Sequence, residues 1–210
     1  MPWGPEDWDA LLLRNEEPMH HSPVLLEAVE EVLLRIPNRR RKTVADLGCG
    51  MGSGLPFLAA NFDKVIAVDY APASLAAARK QLSGETIEFR RRDLRDLKPF
   101  RGALDVAVAV DSILGPRNSD IDRIFEQVHR SLVEGGVFLA TFPAVSRNTG
   151  PYPMQLGDSD DVLAPHQFHE IELQYRLRRV GFQGVRMRRF DPDDERPESL
   201  LCMAVRRANN

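Results

Sequence analysis

Five apolar runs of strand length, TVADL, KVIAVD, TIEFRR, LDVAVAV and GVFLATF, recur between residues 43 and 142 with helical patterns between them. A strand buried on both faces reads as a continuous apolar run, and strands joined through helical crossovers lie parallel. The intervening PASLAAARKQL and DIDRIFEQVHRSLV place apolar side chains three and four apart, as helices packed on a sheet require. Stop signals follow both: Ser83-Gly84 for the first and Glu134-Gly135-Gly136 for the second. The expectation is an α/β fold with a mostly parallel sheet and helices on both faces.

The flanks add to this frame. FHEIELQYRLRRVGF reads as a helix closed by Gly181, and GVRMRRF and LLCMAVRR bracket the acidic stretch DPDDERPES. So short a polar link leaves no room for a crossover helix, so these two strands are expected to pair antiparallel. At the other end, SPVLLEAVEEVLLRIP reads as a helix capped by Ser22 with Pro23 at its first position, and it should pack on the sheet. The preceding WDALLLRNEEPMHH suits a further short helix and turn. The organisation expected is one domain over residues 1–210: a helical cap (1–38), a ligand-binding core (43–142), a Pro- and Gly-rich segment serving as a lid or tether (143–169), and a C-terminal helix and hairpin (170–206).

Composition narrows the function. With 28 basic against 31 acidic residues and a formal charge of −3, no global field would gather nucleic acid or an anionic membrane. The basic runs RRRK (39–42) and RRR (90–92) lack interleaved aromatics and read as solvated positions. Two cysteines, Cys49 and Cys202, allow neither a disulfide framework nor a four-ligand zinc site, and no metal is expected. The N-terminus lacks the basic-then-apolar order of a secretion signal and no run is long enough to span a bilayer, which points to a cytoplasmic protein.

The stretch VADLGCGMGSG then limits the ligand. Glycines at 48, 50, 52 and 54 follow the first strand directly, where bare backbone lets a ligand approach the crevice of an open α/β sheet. A dinucleotide fingerprint counted from Gly48 needs glycine at 53, where Ser53 stands, and a phosphate-binding loop needs Gly-Lys-Ser/Thr, which is absent. What the stretch does carry is Asp46 ahead of the glycines and Asp69 at the end of the second strand.

Asp46-Leu47-Gly48-Cys49-Gly50-Met51-Gly52, Asp69-Tyr70, Asp93-Leu94, Asp111-Ser112-Ile113 and the LVEGGVF lead into the fifth strand fall in one order. That set resembles the class I S-adenosylmethionine-dependent methyltransferases, over residues 43–142 and the closing hairpin. The resemblance implies a Rossmann-like seven-stranded sheet, mostly parallel, with an antiparallel C-terminal hairpin strand and an N-terminal helical cap. It implies S-adenosylmethionine as cofactor, held at Asp46, Gly48, Cys49, Gly50, Gly52, Asp69, Tyr70, Asp93, Leu94 and Asp111. Asp69 would accept from the two ribose hydroxyls, Asp93 and Leu94 would meet the adenine edge and face, and Asp46 would meet the methionine end. Cys49 is a small space-filler in such loops.

Methyl transfer from a sulfonium is an in-line displacement, so the protein mainly positions the acceptor and excludes water. A base is needed only where the acceptor loses a proton, and the candidates are Asp111, His20, His21, Tyr152 and His166. His169 and Glu170 stand beside the last of these. The acceptor expected is a small molecule, and the protein a monomer or homodimer. A nucleic-acid or protein methyltransferase and a non-catalytic cofactor-binding partner remain alternatives. After the fourth strand there is no Asn-Pro-Pro-Tyr, which counts against methylation of base amino groups. The Trp3 and Trp8 pair suits either a substrate cap or an anchor for the N-terminal arm.

Overall fold

A computed structural model of the chain describes residues 23–35, 42–82, 87–114, 117–145, 154–155, 162–163, 166–190 and 198–207. Seven strands form one sheet in the order β3-β2-β1-β4-β5-β9-β8. They are β1 (Thr43–Leu47), β2 (Lys64–Asp69), β3 (Ile87–Arg91), β4 (Leu104–Val110), β5 (Leu132–Pro143), β8 (Phe182–Phe190) and β9 (Ser199–Arg206). Pairing is parallel from β3 to β5, and β9 then runs antiparallel between β5 and β8. Five helices accompany the sheet among the described residues: α1 (Pro23–Arg35), α2 (Leu55–Asn61), α3 (Pro72–Gln81), α4 (Asn118–Ser131) and α5 (Glu170–Val180). The remaining pair, β6 (Met154–Gln155) and β7 (Val162–Leu163), is a separate antiparallel ribbon.

The period of two along each central strand divides the core between the faces. Ala45, Leu47, Ile66, Val68, Ala107 and Ala109 join the cluster that holds Ile121 and Phe125 of α4 and Leu173 and Leu177 of α5. Their neighbours Val44, Val65, Ala67, Val106 and Val108 join the cluster that holds Ala28, Val29 and Val32 of α1, Leu55 and Leu58 of α2 and Leu75 of α3. Both faces are therefore covered, and a near-unbroken apolar sequence in β1, β2 and β4 is the consequence. The N-terminal helix α1 lies on the sheet as expected, and two surface ion pairs tie it to edge strand β8: Glu31 with Arg186 at 2.7 Å and Glu27 with Arg188 at 3.1 Å.

The first five strands and the C-terminal hairpin stand where the sequence placed them. Three details differ. Helix α4 stops at Ser131 rather than at Glu134-Gly135-Gly136, because buried Leu132 already pairs with Leu104 in the sheet. Gly135, at φ +77°, lies instead in the irregularity between that pair and Val106↔Val137. Helix α2 was not expected: LPFLAAN is only seven residues long, too short to show a helical period. Within 143–169 the small β6/β7 ribbon was also not foreseen. The expected N-terminal turn, with Trp3, Trp8, His20 and His21, lies outside the described residues, as do Tyr152 and most of 143–169.

Candidate functional site

The strand order reverses between β1 and β4, and the crevice beyond their carboxyl ends is where open α/β sheets take ligands. Two loops meet there. The glycine loop after β1 contacts the loop after β4, where Ser112 Oγ donates to the Leu47 carbonyl at 2.5 Å. A Cβ on Gly48 (φ +81°) would fall 2.3 Å from Ser112 Cβ. A Cβ on Gly52 (φ +86°) would meet Leu55, Ala78 and Leu82 at 2.9 to 3.2 Å. At both positions glycine is therefore required by protein packing against the loop.

The loop's amides have the same inward bias. Gly48 and Cys49 donate to the Val68 carbonyl at 2.7 and 3.0 Å, Gly52 donates to Cys49, and Gly50 donates to Asp69 Oδ2 at 2.8 Å. A phosphate-binding loop directs successive N–H groups outward into an anion-sized concavity. Here four of them are spent within the protein.

Two buried carboxylates give the crevice the opposite charge. Asp69 at the end of β2 accepts from Gly50 with one oxygen and from Ala71 N–H with the other, at 2.8 and 2.9 Å, so it joins the glycine loop to the start of α3. It has these partners because its strand end faces two backbone donors. Asp46 at the end of β1 is equally buried, at 6% exposure against 7%, yet no hydrogen bond from a described residue reaches its carboxylate. Burial, with Asp69 nearby adding repulsion, raises its pKa to about 7. Burial followed by the same two acids drives the Cys49 thiol upward, so it stays protonated packing, as expected of a space-filler.

On the β3 side, a cleft of about 320 Å³ is lined by Tyr70, Arg91, Arg92, Asp93 and Asp96. Asp93 is gripped by Arg95, whose backbone N–H and guanidinium both donate to it, at 2.8 Å and at 2.5 to 3.0 Å. Partial burial works to raise the Asp93 pKa, but the Arg95 bonds outweigh it and hold it below the usual carboxylate range. Leu94 is half-buried and packs on the core. The sequence reading named Asp93 but not Arg95, although an arginine two residues from an acid is a legible turn pairing.

Of the proton-acceptor candidates, Asp111 and His166 fall within the described residues. Asp111, in the turn after β4, has φ +44°, the one positive value at a non-glycine among the described residues. His166 is half-buried, and its N–H donates to the Leu114 carbonyl at 3.5 Å, so both residues are attached to the same loop. Burial, helped by Arg176, lowers its pKa against Glu172, whose carboxylate lies 3.8 Å away. The two ends of 143–169 are stitched together: Val145 N–H donates to Phe168 and Phe168 N–H to Pro143, at 3.0 and 2.9 Å. The segment thus leaves and returns beside the crevice.

Among the described residues no three His, Cys, Asp or Glu side chains are grouped to hold a metal, and no helix is long and apolar enough to cross a membrane. What the crevice does fit is a cation with no phosphate. S-Adenosylmethionine is such a molecule, with a sulfonium and an ammonium. The residues present therefore match that cofactor: Asp46 as the buried acceptor lacking a donor among the described residues, Asp69 beside it, and a glycine loop with four amides spent within the protein.

Sequence and structure comparisons agree with the fold. The methyltransferase domain family matches residues 44–136. Trans-aconitate 2-methyltransferase of Acidovorax sp. (strain JS42) is 30% identical over 145 residues, covering 65% of this chain and 50% of that protein. The chain thus spans about half the length of the curated relatives it matches. An S-adenosylmethionine-dependent methyltransferase of Mesorhizobium loti, solved by crystallography, superposes with a TM-score of 0.66 at 21% identity, over 84% of this chain and 96% of that one. Phosphoethanolamine N-methyltransferase 2 of Haemonchus contortus, in complex with S-adenosyl-L-methionine, gives 0.70 at 14% identity, over 95% and 57%. The architecture is the Rossmann-like α/β class. The chain is similar, in its matched domain and in its fold, to the class I S-adenosylmethionine-dependent methyltransferases, whose cofactor is S-adenosylmethionine.

Proposed function

We propose that this chain transfers the methyl group of S-adenosylmethionine to a small-molecule acceptor. The observation that carries the reading is the Asp46 carboxylate, buried and without a donor among the described residues, at the mouth of a glycine loop whose amides face inward. When bound, the cofactor supplies a methyl group already activated on a sulfonium. Asp46 would accept from its ammonium, and that pairing relieves a buried acid of its desolvation cost. Asp69 would receive the ribose hydroxyls while holding the loop in place. Tyr70, Asp93 and Leu94 would line the adenine end.

Asp111 would meet the methionine end of the cofactor where it borders the acceptor, and the acceptor side rests on Asp111, His166 and the segment they adjoin. A neutral imidazole is a competent proton acceptor, and burial keeps His166 neutral. The N-terminal cap (1–38) and residues 143–169 would cover the crevice and exclude water, with His20, His21 and Tyr152 as further candidates in that cover. The trans-aconitate methyltransferase relatives favour a small carboxylic acid as acceptor, and a balanced net charge disfavours nucleic acid.

The test is thermal shift followed by transfer. S-Adenosylmethionine and S-adenosylhomocysteine should raise the melting temperature while nicotinamide dinucleotides leave it unchanged, since a ligand of the folded state stabilises by mass action. Labelled methyl transfer across a panel of small carboxylic acids and other metabolites then identifies the acceptor. Stabilisation by the dinucleotide alone would end the methyltransferase reading.

A further inference from the structure

We propose that Thr141, on β5, is the positioning residue for Asp111, fixing its carboxylate at the crevice; this rests on the methyltransferase reading above. Thr141 is 3% exposed and stands in the otherwise apolar GVFLATF run, where its hydroxyl has to be matched by polar partners. Both of its matches belong to Asp111. The Asp111 N–H donates to Thr141 Oγ1 at 2.9 Å, and Thr141 Oγ1 donates to Asp111 Oδ1 at 2.7 Å.

That reciprocal pair accounts for an unusual backbone. Asp111 occupies the left-handed region at φ +44°, where a side chain other than glycine carries roughly 1 to 2 kcal/mol of strain, less for Asp, which tolerates the region better than most residues. Such residues persist where the surroundings over-determine them. Here one hydroxyl fixes the main chain and the carboxylate together, so the direction of Asp111 is set from β5 and does not depend on the ligand. The next residue extends the arrangement: Ser112 bonds Leu47 and fills the space above Gly48. Thr141 thereby links β5 to the floor of the crevice.

Calorimetric titration with S-adenosylhomocysteine tests the assignment. Thr141→Val keeps the shape and removes both bonds, and affinity should fall about tenfold, while Thr141→Ser should bind within about twofold of the parent. A cycle with Asp111→Gly separates positioning from packing, because glycine adopts the same φ freely. In that background Thr141→Val should cause no further loss. An equal loss with and without Asp111, or equal impairment by Val and Ser, would overturn the proposal in favour of core packing. If Thr141→Val does not fold, Thr141→Cys against Thr141→Ser carries the same comparison, and equal affinities for those two overturn it. A parent protein that fails to bind S-adenosylhomocysteine, with NAD stabilising it, sinks the methyltransferase reading instead.

Discussion

Two rims of the crevice carry strand-end aspartates, and the protein treats them in opposite ways. On the β1/β2 rim, Asp46 and Asp69 are buried side by side, one without a donor among the described residues and one holding two backbone amides. On the β3 rim, Asp93 is about a third exposed and clasped by an arginine two residues away. The first arrangement is an unstable pair of charges that a cationic ligand would relieve; the second is already neutralised by the protein. Sequence position alone ranks these three acids alike, so the difference teaches that availability to a ligand is decided by the donors nearby.

The largest effect expected on this comparison is at Asp69. Asp69→Ala strands the Gly50 and Ala71 amides, each at roughly 1 to 3 kcal/mol for a buried donor, while removing repulsion on Asp46 offsets part of that. The net loss should be roughly 2 to 4 kcal/mol in denaturant unfolding, with cofactor affinity falling as well. The Asn variant keeps one acceptor and should lose about half as much. An Asp69→Ala protein as stable as the parent would show that the backbone bonds contribute little and that Asp69 serves the ligand rather than the fold.

Much of this was legible beforehand, for physical reasons that can be named. TVADL, KVIAVD and LDVAVAV are buried on both faces, so their apolar runs mark the strands to the residue. Gly181 at φ +115° is where a left-handed helix end demands glycine, and it stops α5 as read. What escaped depends on contacts distant in sequence. Gly48 answers to Ser112, 64 positions on, and Gly52 to helix α3, so these packing roles of the glycines were not legible locally. Thr141 offered only a lone hydroxyl among apolar neighbours, and its partner lies 30 residues earlier. Helix α2 is held by Leu55 and Leu58 against the sheet rather than by its own period.

The next effect in size belongs to Asp46, and its sign is opposite. Its folded pKa is raised to about 7 from 3.8, so the folded state holds a proton that the unfolded chain releases between those values. The stability it contributes is fully present below pH 3.8 and is lost as pH rises through about 7. Asp46→Asn removes that ionisation. The variant should be about 1 to 2 kcal/mol more stable than the parent at pH 8, a desolvation cost partly replaced by that of the amide, and its melting temperature should vary less between pH 4 and pH 8. S-Adenosylmethionine affinity should fall roughly tenfold or more, since the ammonium loses its ionic partner. Melting curves across pH with calorimetry at one pH give both readouts, and a variant less stable than the parent at pH 8 would mean that Asp46 is satisfied within the protein.

The smallest effect is expected on the β3 rim, and it tests the contrast from the other side. Asp93 has a depressed pKa, so its stability contribution is present above its ordinary value of 3.8 and is lost as pH falls through the folded pKa, the reverse of Asp46. Both side chains of the Asp93–Arg95 pair are about a third exposed, at 37% and 36%, and solvent screens such pairs to about 1 kcal/mol or less. Arg95→Ala should therefore shift the unfolding midpoint slightly at pH 7 and not at all near pH 2. Because Arg95 already occupies the carboxylate, Asp93→Asn should weaken S-adenosylhomocysteine binding by only about twofold to threefold, well short of the Asp46→Asn loss. If the two aspartate variants lose affinity equally, Arg95 must release Asp93 when the cofactor enters, and the two rims are then alike in the bound state although they differ in the free one.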